Sequence, residues 1–159
     1  MYLETLDSPL GLIRIEATDR GIRRIDFVTE RETDMPNGHT SLAREQLEQY
    51  FKGKRRLFTF SCESQGTAFQ KAVWEALRNI PYGETATYGE IARRVGRPRA
   101  VRAVGQANRV NPLALVVPCH RVVGVNGRLT GYAGGLEKKQ YLLELEQRTA
   151  AGGELFCTP

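Results

Sequence analysis

The stretch NPLALVVPCHRVV, Asn111 to Val123, decides how the second half of the chain is organised. Its apolar centre, LALVV, predicts a short buried segment that ends at Pro118, because proline interrupts a regular hydrogen-bonded element. A thiol, an imidazole and a guanidinium follow at once in Cys119, His120 and Arg121. Basic neighbours favour the thiolate, which is the nucleophilic form. The residues alone leave two interpretations open: an activated cysteine, or a buried cysteine that packs as a small hydrophobic side chain.

Composition excludes several classes of protein. The 159 residues are 41% hydrophobic and 26% charged, which is typical of globular protein and sufficient for one ordinary domain or two small ones. No apolar run approaches the roughly 18 residues that span a bilayer, and the N-terminus does not resemble a secretory signal. The three cysteines, Cys62, Cys119 and Cys157, are too dispersed for a disulfide framework or a zinc module. We therefore expect a cytoplasmic protein with no metal, no cofactor and no membrane partner.

Charge is distributed unevenly along the chain. Residues 1–66 carry 10 Lys and Arg against 11 Asp and Glu, whereas residues 67–148 carry 13 against 6. The net charge of the second segment is therefore +7, within a total of +5 for the whole chain. A basic second half is typical of a surface that binds a polyanion such as nucleic acid. A merely solubilising, arginine-rich surface is the alternative.

The first 28 residues predict a three-stranded meander, because alternating apolar segments are separated by the turns SPLG and DRG. One face would be buried and would contain Leu3, Leu6, Ile13, Ile15, Ile22, Ile25 and Phe27. A helix capped by Thr40 or Ser41 would run to about Phe51, with a core stripe of Leu42, Leu47, Tyr50 and Phe51. Residues 57–60 would form a fourth strand. The segment SCESQG would then mark a boundary between an N-terminal scaffold, 1–62, and a second domain, 63–159.

The second domain is expected to begin with a helix that Thr67 caps and that ends near Ile80. Two short helices separated by Gly96 follow over residues 87–109, the second opening at Pro98, which is a helix-turn-helix pattern. This second helix carries small side chains at Ala100, Ala103, Gly105 and Ala107, which make it thin. It carries basic side chains at Arg99, Arg102 and Arg109. A thin basic helix can approach a nucleic-acid duplex closely. Tight helix packing with solvated arginines is the alternative.

Glycines dominate the segment that follows the cysteine. Asn126 and Gly127 predict a hairpin turn, and Gly131, Gly134 and Gly135 surround Tyr132 in a loop where backbone amides can approach a ligand. Residues 136–148 predict an amphipathic helix with Leu136, Leu142, Leu143 and Leu145 on its core side. Glu146 on this helix would orient His120 if the helix packs behind the cysteine; a solvated glutamate is the alternative. The remaining tail carries Cys157, expected to be an exposed and unreactive thiol.

The order of motifs over residues 67–148 resembles the O6-alkylguanine-DNA alkyltransferases, also called methylated-DNA–protein-cysteine methyltransferases. The most specific part is PCHRV, 118–122, with NP upstream and the pattern GY.GGL..K..LL..E downstream. The resemblance implies an α+β protein: a small N-terminal RNase H-like α/β domain and a mainly helical C-terminal domain with a helix-turn-helix. The N-terminal part resembles the family only in its strand order.

The resemblance also implies roles for residues of the active site. Cys119 would take the alkyl group from O6 of guanine, and His120 would act as its base through a water. Glu146 would hold that histidine, and Asn111 would brace the turn that positions the cysteine. These four positions match the family's motif residue by residue.

Further roles concern DNA and the damaged base. Arg102 would enter the base stack in place of the flipped nucleotide, and Tyr88 would lie near the target phosphate. Arg99 and Arg109 would contact DNA. The base pocket would contain Tyr132, facing the guanine ring and contacting its N3, and the backbone of Ala133 and Gly134. Backbone carbonyls near Cys119 and Val122 would read the exocyclic amine. Some family members carry serine where this chain has Ala133, so a backbone contact at that position is preserved but a hydroxyl contact is not.

The implied function is DNA repair by irreversible transfer of an alkyl group to Cys119, with one turnover per molecule. The partner would be double-stranded DNA containing O6-alkylguanine, bound through the minor groove by a protein that is monomeric in solution. Activity on O4-alkylthymine and cooperativity on DNA stay open. Two rivals are a helix-turn-helix DNA-binding protein with a structural cysteine, and a Cys-His hydrolase, which would require an oxyanion hole.

Overall fold

A computed structural model describes residues 1–63 and 65–152. The chain forms two compact units: the first comprises Met1–Ser64 and the C-terminal residues from Ala151, and the second is Gln65–Ala150. The division falls inside the segment SCESQG. Cys157, for which the sequence predicted an exposed thiol, lies outside the described residues.

The first unit contains the predicted meander. Strands β1 (Tyr2–Ser8), β2 (Gly11–Ala17) and β3 (Ile22–Val28) form an antiparallel sheet in the order β1-β2-β3. The register pairs Leu6 with Ile13 and Ile15 with Ile25, so four of the predicted core side chains meet on one face. Leu3 and Phe27 are only half-buried, which makes the predicted buried face too wide.

Helix α1 (Gly38–Phe51) begins earlier than predicted. Its N-cap is Asn37, whose side chain accepts a hydrogen bond from the backbone N–H of Thr40, while the Thr40 hydroxyl accepts one from the backbone N–H of Asn37. The hydroxyls of Thr40 and Ser41 also lie 2.8 Å from Oε2 of Glu4. The prediction of Thr40 or Ser41 as the cap is therefore wrong, because both hydroxyls satisfy a buried carboxylate of the sheet.

Two other predictions for this unit are wrong. Leu42 is 41% exposed, and the helix instead buries Ala43 and Gln46 beside Leu47. Residues 57–60 form no strand, because the backbone N–H of Thr59 donates to the side chain of Gln46 (2.9 Å) instead of to a neighbouring strand. The side chain of Gln46 on α1 thus provides the hydrogen bond that the alternating sequence predicted from a neighbouring strand.

The second unit begins with helix α2 (Ala68–Arg78), which Thr67 caps as predicted. Strand β4 (Ala86–Thr87) leads into helix α3 (Tyr88–Arg94), and helix α4 (Val101–Arg109) follows. The turn between α3 and α4 contains Gly96 at φ +78°, a left-handed conformation that glycine adopts without strain. Helix α4 starts three residues later than predicted, since the backbone N–H of Ala100 closes a turn onto Arg97. Arg99 therefore precedes the helix.

The cysteine segment is followed by a short strand rather than by a hairpin. Strand β5 (Val122–Val123) pairs in parallel with β4, with Ala86 opposite Val122. The turn at Asn126 and Gly127 is present, closed by a hydrogen bond from Gly124 to Arg128, but β5 has its sheet partner in β4. The predicted hairpin is wrong for this reason. The β4–β5 pair joins the residues after the cysteine to those that begin the helix-turn-helix.

Helix α5 (Leu136–Gly152) closes the described chain. Leu142, Leu143 and Leu145 are buried as predicted, but Leu136 is 46% exposed because it stands at the first position of the helix. Within residues 1–63 and 65–152, no helix has the length and apolar character needed to cross a membrane.

Candidate active site

Two γ-turns shape the segment that leads to Cys119. The backbone N–H of Val116 donates to Ala114 across Leu115, which has φ +74°. The backbone N–H of Cys119 donates to Val117 (2.7 Å) across Pro118, at φ −79° and ψ 65°. The second is the common, relaxed form of the γ-turn, whereas the first is the rare form that stores strain in a non-glycine residue. Such strain persists only where the surroundings hold the backbone in place.

The side chain of Asn111 restrains the backbone of this segment. Its Nδ2 donates to the carbonyl oxygen of Val117 at 2.9 Å, and its Oδ1 accepts from the backbone N–H of Leu113 at 3.0 Å. One side chain therefore bridges both ends of the apolar run. This geometry fits the bracing role that the resemblance implies.

Cys119 opens a single 3₁₀ turn, Cys119–Arg121, and is 6% exposed. Burial raises the pKa of its thiol, while a hydrogen bond from Asn111, the charge of Lys139 and the cysteine's own backbone act in the opposite direction. The thiol in this closed site is therefore protonated at neutral pH. A nucleophilic role requires a base that removes the proton when substrate is present.

His120 and Glu146 form a buried pair beside the cysteine. Nε2 of His120 lies 2.7 Å from Oε2 of Glu146, and neither side chain is exposed. Nδ1 of His120 is buried and has no hydrogen-bond partner within the described residues. Since Glu146 accepts a hydrogen bond, the proton of a neutral imidazole lies on Nε2, and Nδ1 carries the lone pair. The arrangement leaves an unused proton acceptor in the closed site.

Arg121 binds the same carboxylate from the other side. Its Nε and Nη2 donate to the two oxygens of Glu146 at 2.8 and 3.0 Å, and its Nη1 donates to the carbonyl of Ile80 at 2.8 Å. Burial alone would raise the pKa of Glu146, but the charge and hydrogen bond of His120, with those of Arg121, lower it below its usual range. Glu146 is thus ionised and shared between two cationic or basic side chains.

An open pocket of about 590 Å³ lies on the helix-turn-helix side of the unit. The first residue of α3, one side of α4 along its whole length and the loop 130–133 contribute its walls. The volume suits a single nucleobase with its sugar, and both polar and apolar side chains are present. Its lining residues are Tyr88, Val101, Arg102, Gly105, Gln106, Asn108, Arg109, Thr130, Gly131, Tyr132 and Ala133.

Lys139 ties the pocket loop to α5. The side chain is fully buried, and its Nζ donates to the carbonyl oxygens of Thr130 (2.8 Å) and Gly131 (3.4 Å). The hydroxyl of Thr130 in turn donates to the hydroxyl of Tyr88 at 3.0 Å. Burial lowers the pKa of Lys139 to about 8, against the opposing effect of Cys119. Two carbonyl oxygens of the glycine-rich loop are therefore held by one buried ammonium.

The predicted site residues fall into three groups. Cys119, His120, Glu146 and Asn111 lie in one connected cluster. Five others line the pocket: Tyr88, Arg102, Arg109, Tyr132 and Ala133. The structure does not bring the remaining three to the pocket wall: Arg99 is exposed before α4, Val122 is buried in β5, and Gly134 is half-buried beyond the loop. The hydroxyl of Tyr132 is buried, and burial raises its pKa well above 10.

Three residues of the site received no role from the sequence: Arg121, Lys139 and Asn108. A signal existed for Lys139, which precedes Leu142 by three residues and Glu146 by seven and therefore lies on the buried face of the helix. Arg121 was visible only as a cationic neighbour of the thiol. Asn108 gave no signal, because an asparagine near a helix end is ordinarily a cap or a solvated residue. In the described part of the chain, no cluster of three or more His, Cys, Asp or Glu side chains is arranged to hold a metal ion.

A buried cysteine, a histidine–glutamate pair, an open pocket and a helix-turn-helix occur together in one unit. They define a thiol-nucleophile site built onto a nucleic-acid-binding motif. The DNA-binding domain of 6-O-methylguanine DNA methyltransferase matches residues 68–148, and the ribonuclease-like domain of the same protein matches residues 1–63. The chain belongs to the 6-O-methylguanine DNA methyltransferase family. The resemblance inferred from the sequence and the α+β fold class are both confirmed.

Individual relatives are similar in sequence to this chain along nearly its whole length. The methylated-DNA–protein-cysteine methyltransferase of Methanosarcina mazei is 49% identical, over 92% of this chain and 98% of that protein. The constitutive enzyme of Bacillus subtilis is 46% identical, over 92% and 95%. The crystal structure of Mycobacterium tuberculosis OGT in complex with DNA matches with a TM-score of 0.86 at 45% identity, covering 93% of this chain and 94% of that one.

Proposed function

We propose that this chain repairs DNA by transferring the alkyl group of O6-alkylguanine to its own Cys119, as a methylated-DNA–protein-cysteine methyltransferase. The observation that carries the proposal is the buried cluster of Cys119, His120 and Glu146 in the same unit as a basic helix-turn-helix and a base-sized pocket. Membership of the family supports the same reaction. The comparisons give no support to a DNA-binding protein with a structural cysteine.

DNA would be held by the basic side of the helix-turn-helix. Arg102 and Arg109 on α4 are exposed and line the pocket, and Arg99 is exposed in the preceding turn. An O6-alkyl carbon inside a stacked duplex is out of reach, so the nucleotide must leave the stack, at a cost of about a few kcal/mol. Arg102 would fill the vacated space, and Tyr88 would lie near the phosphate. The small side chains of α4 favour the minor groove, where close approach is needed.

The pocket would then hold the base against the loop 130–133. Tyr132 would face the ring, and the backbone N–H of Ala133 would donate toward O6 as charge develops there. The backbone of Gly134 would support that loop, and backbone carbonyls near Cys119 and Val122 would accept hydrogen bonds from the exocyclic amine. Donors aimed at the leaving oxygen lower the barrier because guanine is otherwise a poor anionic leaving group.

Proton transfer would begin at the cysteine. Nδ1 of His120 takes the thiol proton through a water, and Glu146 stabilises the imidazolium at Nε2. The thiolate sulfur then attacks the alkyl carbon in line, the carbon–O6 bond breaks, and its electron pair goes to O6. The proton that His120 took from the thiol returns through water to the guanine anion, which restores neutral guanine and neutral imidazole. The product at Cys119 is a thioether, and no described residue is positioned to cleave it, so each molecule reacts once.

The proposal also covers the cofactor, the oligomeric state and the cellular location. No cofactor is needed, because sulfur, alkyl carbon and leaving oxygen balance without an external reagent. The protein would act as a cytoplasmic monomer on double-stranded DNA. The Cys-His hydrolase rival would require an oxyanion hole at the cysteine, whereas the pocket is lined by arginines of a helix-turn-helix.

The test uses duplex DNA carrying one O6-methylguanine and intact-protein mass spectrometry. We expect a gain of one methylene unit, mapped to Cys119 by peptide analysis and limited to one per protein molecule. Cys119→Ala should show no gain, and Cys62→Ala, a change at the half-buried cysteine of the first unit, should react like the unaltered protein. An unchanged mass, or modification at Cys62, would contradict the proposal.

A further inference from the structure

Arg121 is a buried cation of the site that the proposed mechanism does not use. It is 6% exposed and follows His120 directly in the 3₁₀ turn. Its Nε and Nη2 donate to the carboxylate of Glu146 at 2.8 and 3.0 Å, and its Nη1 donates to the carbonyl of Ile80 at 2.8 Å. The ring centre of Tyr82 lies 5.5 Å from the guanidinium carbon. These contacts fix the position of a charge that is permanent, because arginine does not lose its proton in proteins.

His120 and Arg121 share one oxygen of Glu146. Oε2 lies 2.7 Å from Nε2 of His120 and also accepts a hydrogen bond from Nη2 of Arg121. A buried carboxylate that faced only the histidine would strongly stabilise an imidazolium, because the two opposite charges would be shielded from water. Here the guanidinium already neutralises that negative charge. Glu146 therefore orients the imidazole without by itself favouring its protonation in the closed site.

The net charge of the buried cluster favours the neutral imidazole. An uncompensated charge is costly where water is excluded, so the favoured protonation state is the one with the smallest net charge. With Arg121 positive and Glu146 negative, the three side chains are neutral together when His120 is neutral. Without Arg121, the remaining two would be neutral together only when His120 carries an extra proton. The arginine thus decides which form of the histidine is present before substrate arrives.

The other ionisable groups around His120 do not reverse this preference. Cys119 is a neutral thiol in the closed site, since burial raises its pKa, and Tyr132 is a neutral phenol, since burial raises its pKa well above 10. The positive charge of Lys139 on α5 disfavours an imidazolium, as that of Arg121 does. Helix α2 packs against the turn, and its charged side chains and those of α4 are exposed, so water screens them: Lys71, Glu75, Arg78, Arg102 and Arg109.

We propose that Arg121 is a positioning residue for alkyl transfer, which keeps His120 neutral so that Nδ1 is free to accept the thiol proton of Cys119. The inference rests on the proposed function, in which this proton moves through a water. An imidazole that had already taken a proton from solvent could not accept a second one from the thiol. Because Arg121 disfavours that earlier protonation, the base is available at neutral pH when the alkylated nucleotide enters the pocket.

The first test follows the protonation of His120 directly, in protein without DNA. The chain has two histidines, so ring-labelled histidine gives two NMR signals, which a His39→Gln variant assigns. Spectra are recorded from about pH 5.5 to pH 9 for the unaltered protein and three variants. Arg121→Met removes the charge and keeps an unbranched side chain, and Arg121→Lys keeps the charge. Arg148→Met removes a charge from an exposed position on α5.

We expect the midpoint of the His120 titration to rise by about one to two pH units in Arg121→Met, because a nearby positive charge is lost. Arg121→Lys and Arg148→Met should keep the midpoint of the unaltered protein, and His39 should titrate alike wherever it is present. An equal midpoint for His120 in Arg121→Met and in the unaltered protein overturns the inference. If Arg121→Met fails to fold, the unaltered protein remains decisive, since an imidazolium at His120 at pH 7 also overturns it.

The second test measures the same effect in the reaction. Single-turnover rates of methyl transfer from duplex DNA carrying O6-methylguanine are measured over the same pH range. The acid limb of the profile should move to higher pH in Arg121→Met, so its rate relative to the unaltered protein should fall by up to about tenfold as the pH is lowered. Arg121→Lys should restore the limb.

Equal slowing of Arg121→Met at every pH would show that Arg121 only supports the fold, and it would overturn the inference. Absence of transfer by the unaltered protein would instead reject the proposed function. The NMR titration needs no DNA, so it still reports whether Arg121 controls the protonation of His120. The two failures are therefore distinguishable.

Discussion

Glu146 binds His120 and Arg121 at once: Oε2 lies 2.7 Å from Nε2 of His120, and Oε1 lies 2.8 Å from Nε of Arg121. All three side chains are buried. One carboxylate therefore orients the proposed base and neutralises a guanidinium that is largely shielded from water. Removing it would affect both the reaction and the stability of the second unit.

Glu146→Gln is expected to lower the free energy of unfolding by about 3 kcal/mol, because the buried Arg121 loses its counter-charge. Methyl transfer should slow by about a hundredfold, since the imidazolium of His120 is no longer stabilised. Urea unfolding and single-turnover rates measure the two effects. Glu144→Gln, an exposed carboxylate on the same helix, should stay within about 0.5 kcal/mol of the unaltered protein. Equal effects of the two changes would contradict the assignment.

Lowering the pH should reduce the free energy of unfolding through the same carboxylate, Glu146. The pKa of Glu146 is lower in the folded state than in the unfolded state, where it is about 4.3. The stabilisation is therefore complete above about pH 4.3 and is lost as the pH falls toward the depressed folded value. We expect the difference in unfolding free energy between the unaltered protein and Glu146→Gln to shrink from pH 7 to pH 3. A difference independent of pH would mean that the carboxylate does not act through its charge.

The sequence predicted those elements whose signals are local. Alternation and turn residues located the meander, and Thr67 and Thr87 marked the starts of α2 and α3. It failed where a side chain from a distant position satisfied the backbone. Gln46 does this at Thr59, whose backbone N–H it accepts. The predicted cap of α1 failed because the hydroxyls of Thr40 and Ser41 donate to the distant carboxylate of Glu4. Contacts of this kind depend on the tertiary fold and leave no periodicity in the chain.

In the candidate site, too, the sequence did not predict contacts between residues that are distant in the chain. The PCHRV motif marked Cys119 and His120 as candidate site residues, and the resemblance pointed to Glu146. Neither indicated that Glu146 also binds Arg121, or that Lys139 is buried against backbone carbonyls. Buried polar residues are recognised from their partners, and these partners are backbone carbonyls, of Ile80 for Arg121 and of Thr130 for Lys139, which no side-chain pattern marks.

Lys139 should also make stability rise with pH, but in the alkaline range. Burial lowers its pKa to about 8 in the folded state, whereas an unfolded lysine titrates near 10.4. Between these values the unfolded chain binds more protons, so the contribution of Lys139 to stability rises with pH. We expect the unaltered protein to gain stability relative to Lys139→Met from pH 8 to pH 10. Lys138→Met, at the neighbouring half-buried position, should show no such gain, and parallel curves for Lys139→Met would contradict the assigned pKa.

Arg102→Ala should separate base flipping from chemistry. If Arg102 fills the space that the nucleotide leaves, its removal slows methyl transfer from duplex DNA by about tenfold or more but hardly changes transfer from the free base. Arg99→Ala removes an equal charge from the turn before α4 and should weaken DNA binding while reducing its salt dependence by about one unit. Rates on both substrates, measured for both variants, distinguish the roles. Equal slowing of Arg102→Ala on duplex and free base would argue against a flipping role.

Alkylation itself should destabilise the second unit. Cys119 is 6% exposed and lies against the amides of Asn108 and Asn111, so an added methyl group has little free space. Overpacking of this kind costs about 1–3 kcal/mol, and each kcal/mol lowers the Tm of a small domain by about 4–8 °C. Calorimetry of the methylated protein, freed from DNA, is compared with unreacted protein and with Cys119→Ala. Because Cys119→Ala loses the thiol without adding bulk, a lower Tm for the methylated protein than for this variant identifies crowding as the cause. Equal Tm for methylated and unreacted protein would show that the closed site accommodates the alkyl group without strain.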